Sequence, residues 1–283
     1  MIPASFSYAR PRSLDEAFAL LSEHGSDAKL LAGGHSLLPM MKLRLATPGI
    51  LIDISRITGL DSIKAGADGV AIGALTTHAA IAASADVARI LPALADAASN
   101  IGDAQVRNRG TIGGACAHGD PASDYPAVLL ALDASVSIHA RSGAKTIPAA
   151  DFFRGMFDTA LTPDAVLTEI SLRASPHSAY AKFPHPASHY AVVGVAANLE
   201  LQGGKIAQAR IAVTGVGDRA YRATNVEKAL VGVNPNDAGA VKAACVDAGS
   251  GTEPRSDVFA SGKYRAAMAE VYAARAVAAA AKR

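Results

Sequence analysis

Cysteine is almost missing from this sequence: Cys116 and Cys245 are the only two in 283 residues. Two thiols cannot build a disulfide framework or a cysteine-rich structural zinc site. An iron–sulfur cluster normally takes four thiolates, so any such cluster has to belong to another chain. An excess of charge is missing too. The 27 lysines and arginines stand against 25 aspartates and glutamates, which leaves no electrostatic case for nucleic acid or an anionic membrane surface. No apolar run approaches the roughly 20 residues that span a bilayer, and the tail AEVYAARAVAAAAKR is mostly alanine, interrupted by Arg275. The opening MIPASFSYARPRS lacks the charged-then-apolar order of a secretory leader. A cytoplasmic globular protein is therefore expected. No period of 20 to 50 residues recurs, which excludes a solenoid. No Gly-Lys-Ser/Thr follows a glycine at phosphate-loop spacing and no nucleophile elbow occurs, so nucleotide triphosphate hydrolysis and serine-hydrolase chemistry drop out.

What is present is apolar, periodic and punctuated by glycine. Half of the residues are hydrophobic, and the length suits about two domains with a large core. Ser13 with Glu16 three residues on forms a capping box, and Gly25 closes the helix that it opens. AKLLAG (28–33), ILIDIS (50–55) and GVAIGAL (69–75) read as strands, and 76–99 as a helix interrupted near Pro92. A short helix is expected at 125–134, then strands at 134–140 and 165–172. The runs 188–201 and 205–216, joined by Gln202, Gly203 and Gly204, carry a hairpin signature. Helices at 224–231, 236–248 and 260–282 complete the pattern. Antiparallel-looking strands with helices clustered between them predict α+β rather than regular βαβ alternation.

Two glycine pairs stand out, in LLAGGHSLLPMMKLRL (30–45) and RNRGTIGGACAHGDPASD (107–124). Adjacent glycines leave main-chain N–H groups uncovered and permit positive φ, so consecutive amides can converge on an anion. Ala32 to Ser36 and Thr111 to Ala115 each supply such a backbone with a hydroxyl at one end, Ser36 or Thr111. Two neutral cradles suit a pyrophosphate; the alternative is a pair of ordinary tight turns. Asp124 could accept hydrogen bonds from sugar-like hydroxyls or simply cap the helix at Tyr125. Lys182 and Tyr190 bracket KFPHPASHY, which brings a cation and an aromatic face toward a planar ligand or is an exposed interdomain loop. His35, His118, Asp120 and Asp124 are metal-ligand types, but no two share a helical face, and the alternative is polar contact with a ligand. Cys116 lacks an activating base and reads as a small filler. GVGDRA (215–220) fits the dinucleotide fingerprint, yet helical signals resume only near Thr224, too late for a phosphate-binding turn.

Taken together, AGGHSLLPMMKLRL, RNRGTIGGACAHGDPASDYPA and KFPHPASHYAVVGVAANL closely resemble the FAD-binding medium subunit of the molybdenum hydroxylases, of the aerobic carbon monoxide dehydrogenase type. The likeness includes the opening IPASFSYARPRSLDEAFALL and covers essentially the whole chain. It implies a vanillyl-alcohol-oxidase-like FAD-binding fold: subdomain 1 at 1–58, subdomain 2 at 59–177, and a C-terminal antiparallel-sheet and helix domain at 178–283. It carries FAD contacts onto Leu31, Ala32, Gly33, Gly34, His35, Ser36 and Leu37, and onto Thr111, Ile112, Gly113, Gly114 and Ala115. Asp124 falls near the ribityl or ribose hydroxyls, with Ile101, Lys182 and Tyr190 beside the isoalloxazine. Ala115 departs from the asparagine common at its position. The family implies no catalytic residue in this chain. It implies an electron-transfer subunit in a dimer of heterotrimers, beside a small iron–sulfur subunit and a large molybdopterin subunit, with quinone, oxygen or NAD as acceptor. Its place would be the cytoplasm, at a membrane only through the complex. The competing readings are a self-sufficient flavin oxidase of the same fold and a flavin-free scaffold.

Overall fold

The computed structural model describes residues 2–283. Its first unit pairs β1 (Ser7–Ala9), β2 (Ala28–Leu31) and β3 (Ile50–Asp53) in the order β1-β3-β2. Helix α1 (Leu14–His24) covers the sheet and α2 (Leu37–Lys42) follows the first glycine pair. All pairings in this sheet are parallel, a departure from the antiparallel expectation: α1 and the α2 segment are the crossovers that parallel neighbours require. The capping box forms one residue out of register. Ser13 accepts from the Glu16 amide at 3.2 Å, while the Glu16 carboxylate reaches the amide of Arg12 at 2.7 Å.

The second unit begins with β4 (Ile63–Ala65) and β5 (Gly69–Gly73), then runs through α3 (His78–Ala83), α4 (Ala85–Ile90), α5 (Pro92–Asn100), α6 (Ala104–Arg109), α7 (Ile112–His118) and α8 (Asp124–Ala131). It returns through β6 (Ser135–Ala140), β7 (Gly143–Pro148), α9 (Ala149–Phe152), the small hairpin β8 (Phe153–Gly155) and β9 (Asp158–Thr159), and β10 (Val166–Arg173). The main sheet has the order β4-β5-β10-β6-β7. The helix expected over 76–99 is three helices. Pro92 starts the third, as expected, but Ser84 also breaks the run: its backbone is extended and its hydroxyl caps α4 through the Val87 amide. The second glycine pair, expected in a loop, lies inside α7, because Thr111 caps it and the residues that follow are small enough to coil against the sheet.

The third unit is the antiparallel sheet β11 (Ser178–Pro184), β12 (Ala191–Gln202), β13 (Lys205–Thr214) and β14 (Tyr221–Arg222), followed by α10 (Thr224–Leu230), α11 (Ala238–Ala244) and α12 (Gly262–Ala280). The β12–β13 turn is the predicted one. Gln202 pairs with Lys205, and Gly203 and Gly204 have φ of 59° and 75°, the sign that a two-residue hairpin of this hand demands. The sheet is apolar on both faces because both are covered. Val193, Val195 and Ala197 face α12. The alternate residues Tyr180, Ala196 and Ala212 join the second unit's core, where α8 and α5 lie against β11, β12 and β13. This shared face brings Asp124 and the C-terminal sheet together.

Candidate functional site

The first glycine loop leaves the parallel sheet at Leu31 and enters α2 at Leu37. Gly34 has φ +77°, and a Cβ on Gly33 would lie 2.1 Å from the carbonyl oxygen of Arg109. Nothing larger than glycine fits at that contact. The loop is therefore pressed against the backbone that leads into the second glycine segment. The amides of Gly33, Gly34, His35, Ser36 and Leu37 find no acceptor among the described residues, and the first helical bond of α2 is Leu38 N–H to Gly34 O at 3.0 Å. Ser36 provides no side-chain cap. Five consecutive unpartnered donors at a turn are the groups that an anion nest uses.

The second segment is built differently. Ile112 N–H donates to Thr76 O at 3.0 Å and Gly113 N–H to Ala74 O at 2.9 Å. Gly114 N–H donates to the Thr111 hydroxyl at 3.1 Å and Ala115 N–H to Thr111 O at 3.0 Å. Every amide from 112 to 115 is thus consumed, and the expectation of an anion nest in Thr111 to Ala115 is corrected: the amides hold α7 against β5 and its own cap. The glycines serve close approach. A Cβ on Gly113 would sit 2.5 Å from that of Ala74, and one on Gly114 would reach the Ala32 methyl at 3.8 Å. The two segments are in contact, with the open amides on one side only.

Beyond them lies a polar floor. Asp124 is the first residue of α8, whose N-cap is Ser123, so the capping alternative for Asp124 is not what the structure shows. Its carboxylate is instead held by the C-terminal sheet. The Tyr180 hydroxyl donates to Oδ1 at 2.5 Å and Lys182 Nζ donates to Oδ2 at 2.9 Å. Lys182 also donates to Asn100 O at 3.1 Å. Both charged side chains are nearly enclosed, Lys182 at 2% and Asp124 at 6% exposure. Burial raises the Asp124 carboxyl above the usual range; Lys182 and Tyr180 pull against that, and the Asp120 carboxylate adds to it. The buried pair carries almost no net charge, the condition under which burial is tolerated.

Ile101 follows α5 and packs half-buried against the second core. A Cβ on Gly102 would lie 2.5 Å from that of His189, so the 100–102 segment meets the 185–190 loop. Tyr190 closes that loop. The residue is 41% exposed, while its hydroxyl lies against Ser36; burial and the Asp120 and Asp124 carboxylates raise its pKa. Ile101, Lys182 and Tyr190 therefore border one region with Asp124 and the first loop. His35 is exposed beside it. His118 stands apart at the end of α7, tilted at 44° against Phe157 with ring centroids 5.0 Å apart. Among the described residues no cluster of His, Cys, Asp and Glu could hold a metal. Cys116 is fully buried, and burial pushes its thiol up, away from the reactive thiolate. At the GVGDRA stretch β13 ends with Thr214 and β14 intervenes before α10, so no helix begins inside the fingerprint.

Three site residues escaped sequence reasoning. Tyr180 was absent, although its i, i+2 spacing from Lys182 puts both on one face of a strand. His78 and Tyr125, joined at 2.9 Å, lie beneath the second glycine segment, where a Cβ on Gly110 would sit 2.6 Å from His78 Nε2. Burial, with His35 and Arg107 nearby, lowers the His78 pKa to about 4.

The arrangement gathers open amides, a buried carboxylate, and a border of Ile101, Tyr190 and a buried cation, a set of groups compatible with a flavin dinucleotide. Comparison with known proteins agrees. Residues 4–174 match the family model described as the FAD binding domain in molybdopterin dehydrogenase, and residues 178–280 match the CO dehydrogenase flavoprotein C-terminal domain. The carbon monoxide dehydrogenase medium chain of Hydrogenophaga pseudoflava is 43% identical over 95% of this chain and 94% of its own. The glyceraldehyde dehydrogenase medium chain of Sulfolobus acidocaldarius is 39% identical over 96% of each. A solved structure of the Hydrogenophaga pseudoflava carbon monoxide dehydrogenase, a form lacking the Mo-pyranopterin moiety, superposes with a TM-score of 0.94 at 44% identity, over 99% of this chain and 98% of that one.

Proposed function

The chain belongs to the family of FAD-binding medium subunits of the molybdenum hydroxylases, and from that premise we propose that it relays electrons from an iron–sulfur partner to an external acceptor. The observation that carries this reading is the run of open amides from Gly33 to Leu37 in a loop that touches the α7 segment. Bound there, FAD supplies a carrier able to exchange one or two electrons. The residues of this chain bind and orient it. The first loop, Leu31 to Leu37, holds the pyrophosphate by its amides, and Thr111 to Ala115 form the facing wall by close approach. Ala115 brings no side-chain amide, so the cradle relies on backbone. Asp124 accepts from the hydroxylated chain, Ile101 and Tyr190 flank the ring, and Lys182 keeps a positive charge close to it. No residue is asked to abstract a proton from a substrate.

In this reading subdomains 1–58 and 59–177 close on the cofactor and 178–283 supplies Asp124's partners. The large molybdopterin subunit oxidises the substrate, the small iron–sulfur subunit conducts, and the assembly is a dimer of heterotrimers. Identities of 43% and 39% to medium chains named for carbon monoxide and for glyceraldehyde dehydrogenases support substrate choice in another chain; the carbon monoxide type is favoured by the higher value. Quinone, oxygen and NAD are the candidate acceptors, and the cytoplasm the proposed site. No helix of the described residues is long and apolar enough to cross a membrane.

The test is the visible spectrum of the purified chain, with the chromophore identified after denaturation, followed by anaerobic reduction with and without the partner chains. FAD that is reduced by the complex's substrate only when the iron–sulfur chain is present is the expected result. A colourless chain that does not bind added FAD, or one reduced by substrate unaided, would overturn it.

A further inference from the structure

We infer that Tyr180 is a positioning residue for the cofactor: its hydroxyl, seated in space left by Gly194, holds the Asp124 carboxylate in the orientation that serves both Lys182 and the flavin. This rests on the FAD-binding reading above.

Lys182, Gly194 and Thr214 stand side by side across β11, β12 and β13, because Lys182 is in register with Gly194 and Gly194 with Thr214. All three lie on the face that packs on α8, and Tyr180 is two residues from Lys182 on the same face. This row grips one short stretch of chain. The Thr214 hydroxyl is shared between the carbonyls of Pro121 and Ser123, both at 2.9 Å, and Gly215 N–H also donates to Pro121 O at 2.9 Å. Ala191 N–H holds Ala122 O at 3.2 Å. The backbone of 121–123 is thus fixed by the sheet, and Asp124 is the next residue.

Among the described residues only Tyr180 and Lys182 bond its carboxylate and so direct its side chain. A Cβ on Gly194 would lie 2.0 Å from the Tyr180 oxygen, so any side chain there displaces the hydroxyl. The absence of a side chain at the centre of a covered strand weakens the strand, and here it makes room for one polar atom. Without that atom Lys182 alone would direct the carboxylate, and one oxygen would lose its buried donor, a costly vacancy for a charged group. The groups facing Asp124 are Lys182 and Tyr180 from β11, Asp120 from the segment before α8, Tyr125 from α8 itself, and Tyr190 from the loop before β12. Of these only Lys182 is a cation, and Asp120 opposes it. Losing the tyrosine donor therefore makes Asp124 protonate at a higher pH.

The experiment compares the FAD-loaded chain with Tyr180→Phe, which deletes only the hydroxyl, and Thr214→Val, which deletes a backbone tether. FAD affinity is measured by flavin fluorescence from pH 5 to 9, with the flavin midpoint potential and the thermal midpoint. Tyr180→Phe is expected to weaken FAD about tenfold, to bring the acid loss of affinity to higher pH and to shift the potential, with little change in melting. Thr214→Val is expected to lower the melting temperature and leave the pH onset in place. Gly194→Ala, which keeps the tyrosine but displaces its hydroxyl and also presses on the Thr214 methyl at 2.9 Å, should reproduce the tyrosine effect on affinity, pH onset and potential with some loss of melting temperature, and decides the matter if Tyr180→Phe does not fold. Wild-type affinity, pH onset and potential in folded Tyr180→Phe or Gly194→Ala would overturn the inference while leaving FAD binding intact. Failure of the parent chain to bind FAD would sink both.

Discussion

The two glycine loops look alike in sequence and do opposite things with their backbones. In the first, Gly33 and Gly34 turn a parallel strand into a short helix without a side-chain cap, and the amides from Gly33 to Leu37 find no acceptor among the described residues. In the second, Gly113 and Gly114 lie inside a helix capped by Thr111 and pinned to Ala74 and Thr76, and no amide from 112 to 115 is spare. A glycine pair therefore marks either exposed donors or the closest packing of two backbones. Which one applies depends on what the neighbouring strand offers the amides.

Substitutions should separate the two roles. The largest effect belongs to the open loop. Gly33→Asp forces a side chain into the Arg109 carbonyl and a negative charge beside the amides, and flavin affinity should fall roughly a hundredfold or more. A folded variant with normal FAD occupancy would refute the first-loop assignment.

Next comes the acid sensitivity of the packed segment, read through His78 beneath it. Its pKa is lowered to about 4 from an ordinary 6.5, so folding favours the neutral ring. The stabilisation is fully present above pH 6.5 and is lost as pH falls through about 4, on the order of 3 kcal/mol over that window. Chemical unfolding of the parent chain and of His78→Gln across pH 4 to 7 measures it; an unchanged slope in the variant would assign the loss elsewhere.

Smallest is Thr111→Ala, which removes the cap of α7. It should cost about 1 kcal/mol of stability while FAD occupancy in the folded protein stays near normal. If Thr111→Ala instead empties the site with its melting unchanged, the second segment contacts the cofactor more directly than its hydrogen bonds indicate.

Much of this was legible along the chain. The Ser13 cap, the Gly203–Gly204 hairpin, Pro92 opening a helix and both glycine pairs follow from local rules that a few neighbouring residues satisfy on their own. The site was legible in part. Gly33, Asp124, Lys182 and Tyr190 stood out as types, and the structure gathers them. Their partners did not stand out: Tyr180 reads as an ordinary strand tyrosine and Gly194 as a weak spot in an apolar run, until 14 residues of separation between them close into neighbouring strands.

The sequence alone determined the helix start at Ser13, the Gly203–Gly204 hairpin, the helix opened by Pro92 and which glycines deserved suspicion, because local rules act over a few residues. Tertiary structure decided that the first sheet is parallel, that only one glycine loop keeps its amides free, and that Asp124 answers to Tyr180 and Lys182 instead of capping its helix. Those outcomes depend on which distant carbonyl, cation or hydroxyl reaches a given group first. A buried donor or carboxylate takes the partner that the packed fold sets beside it.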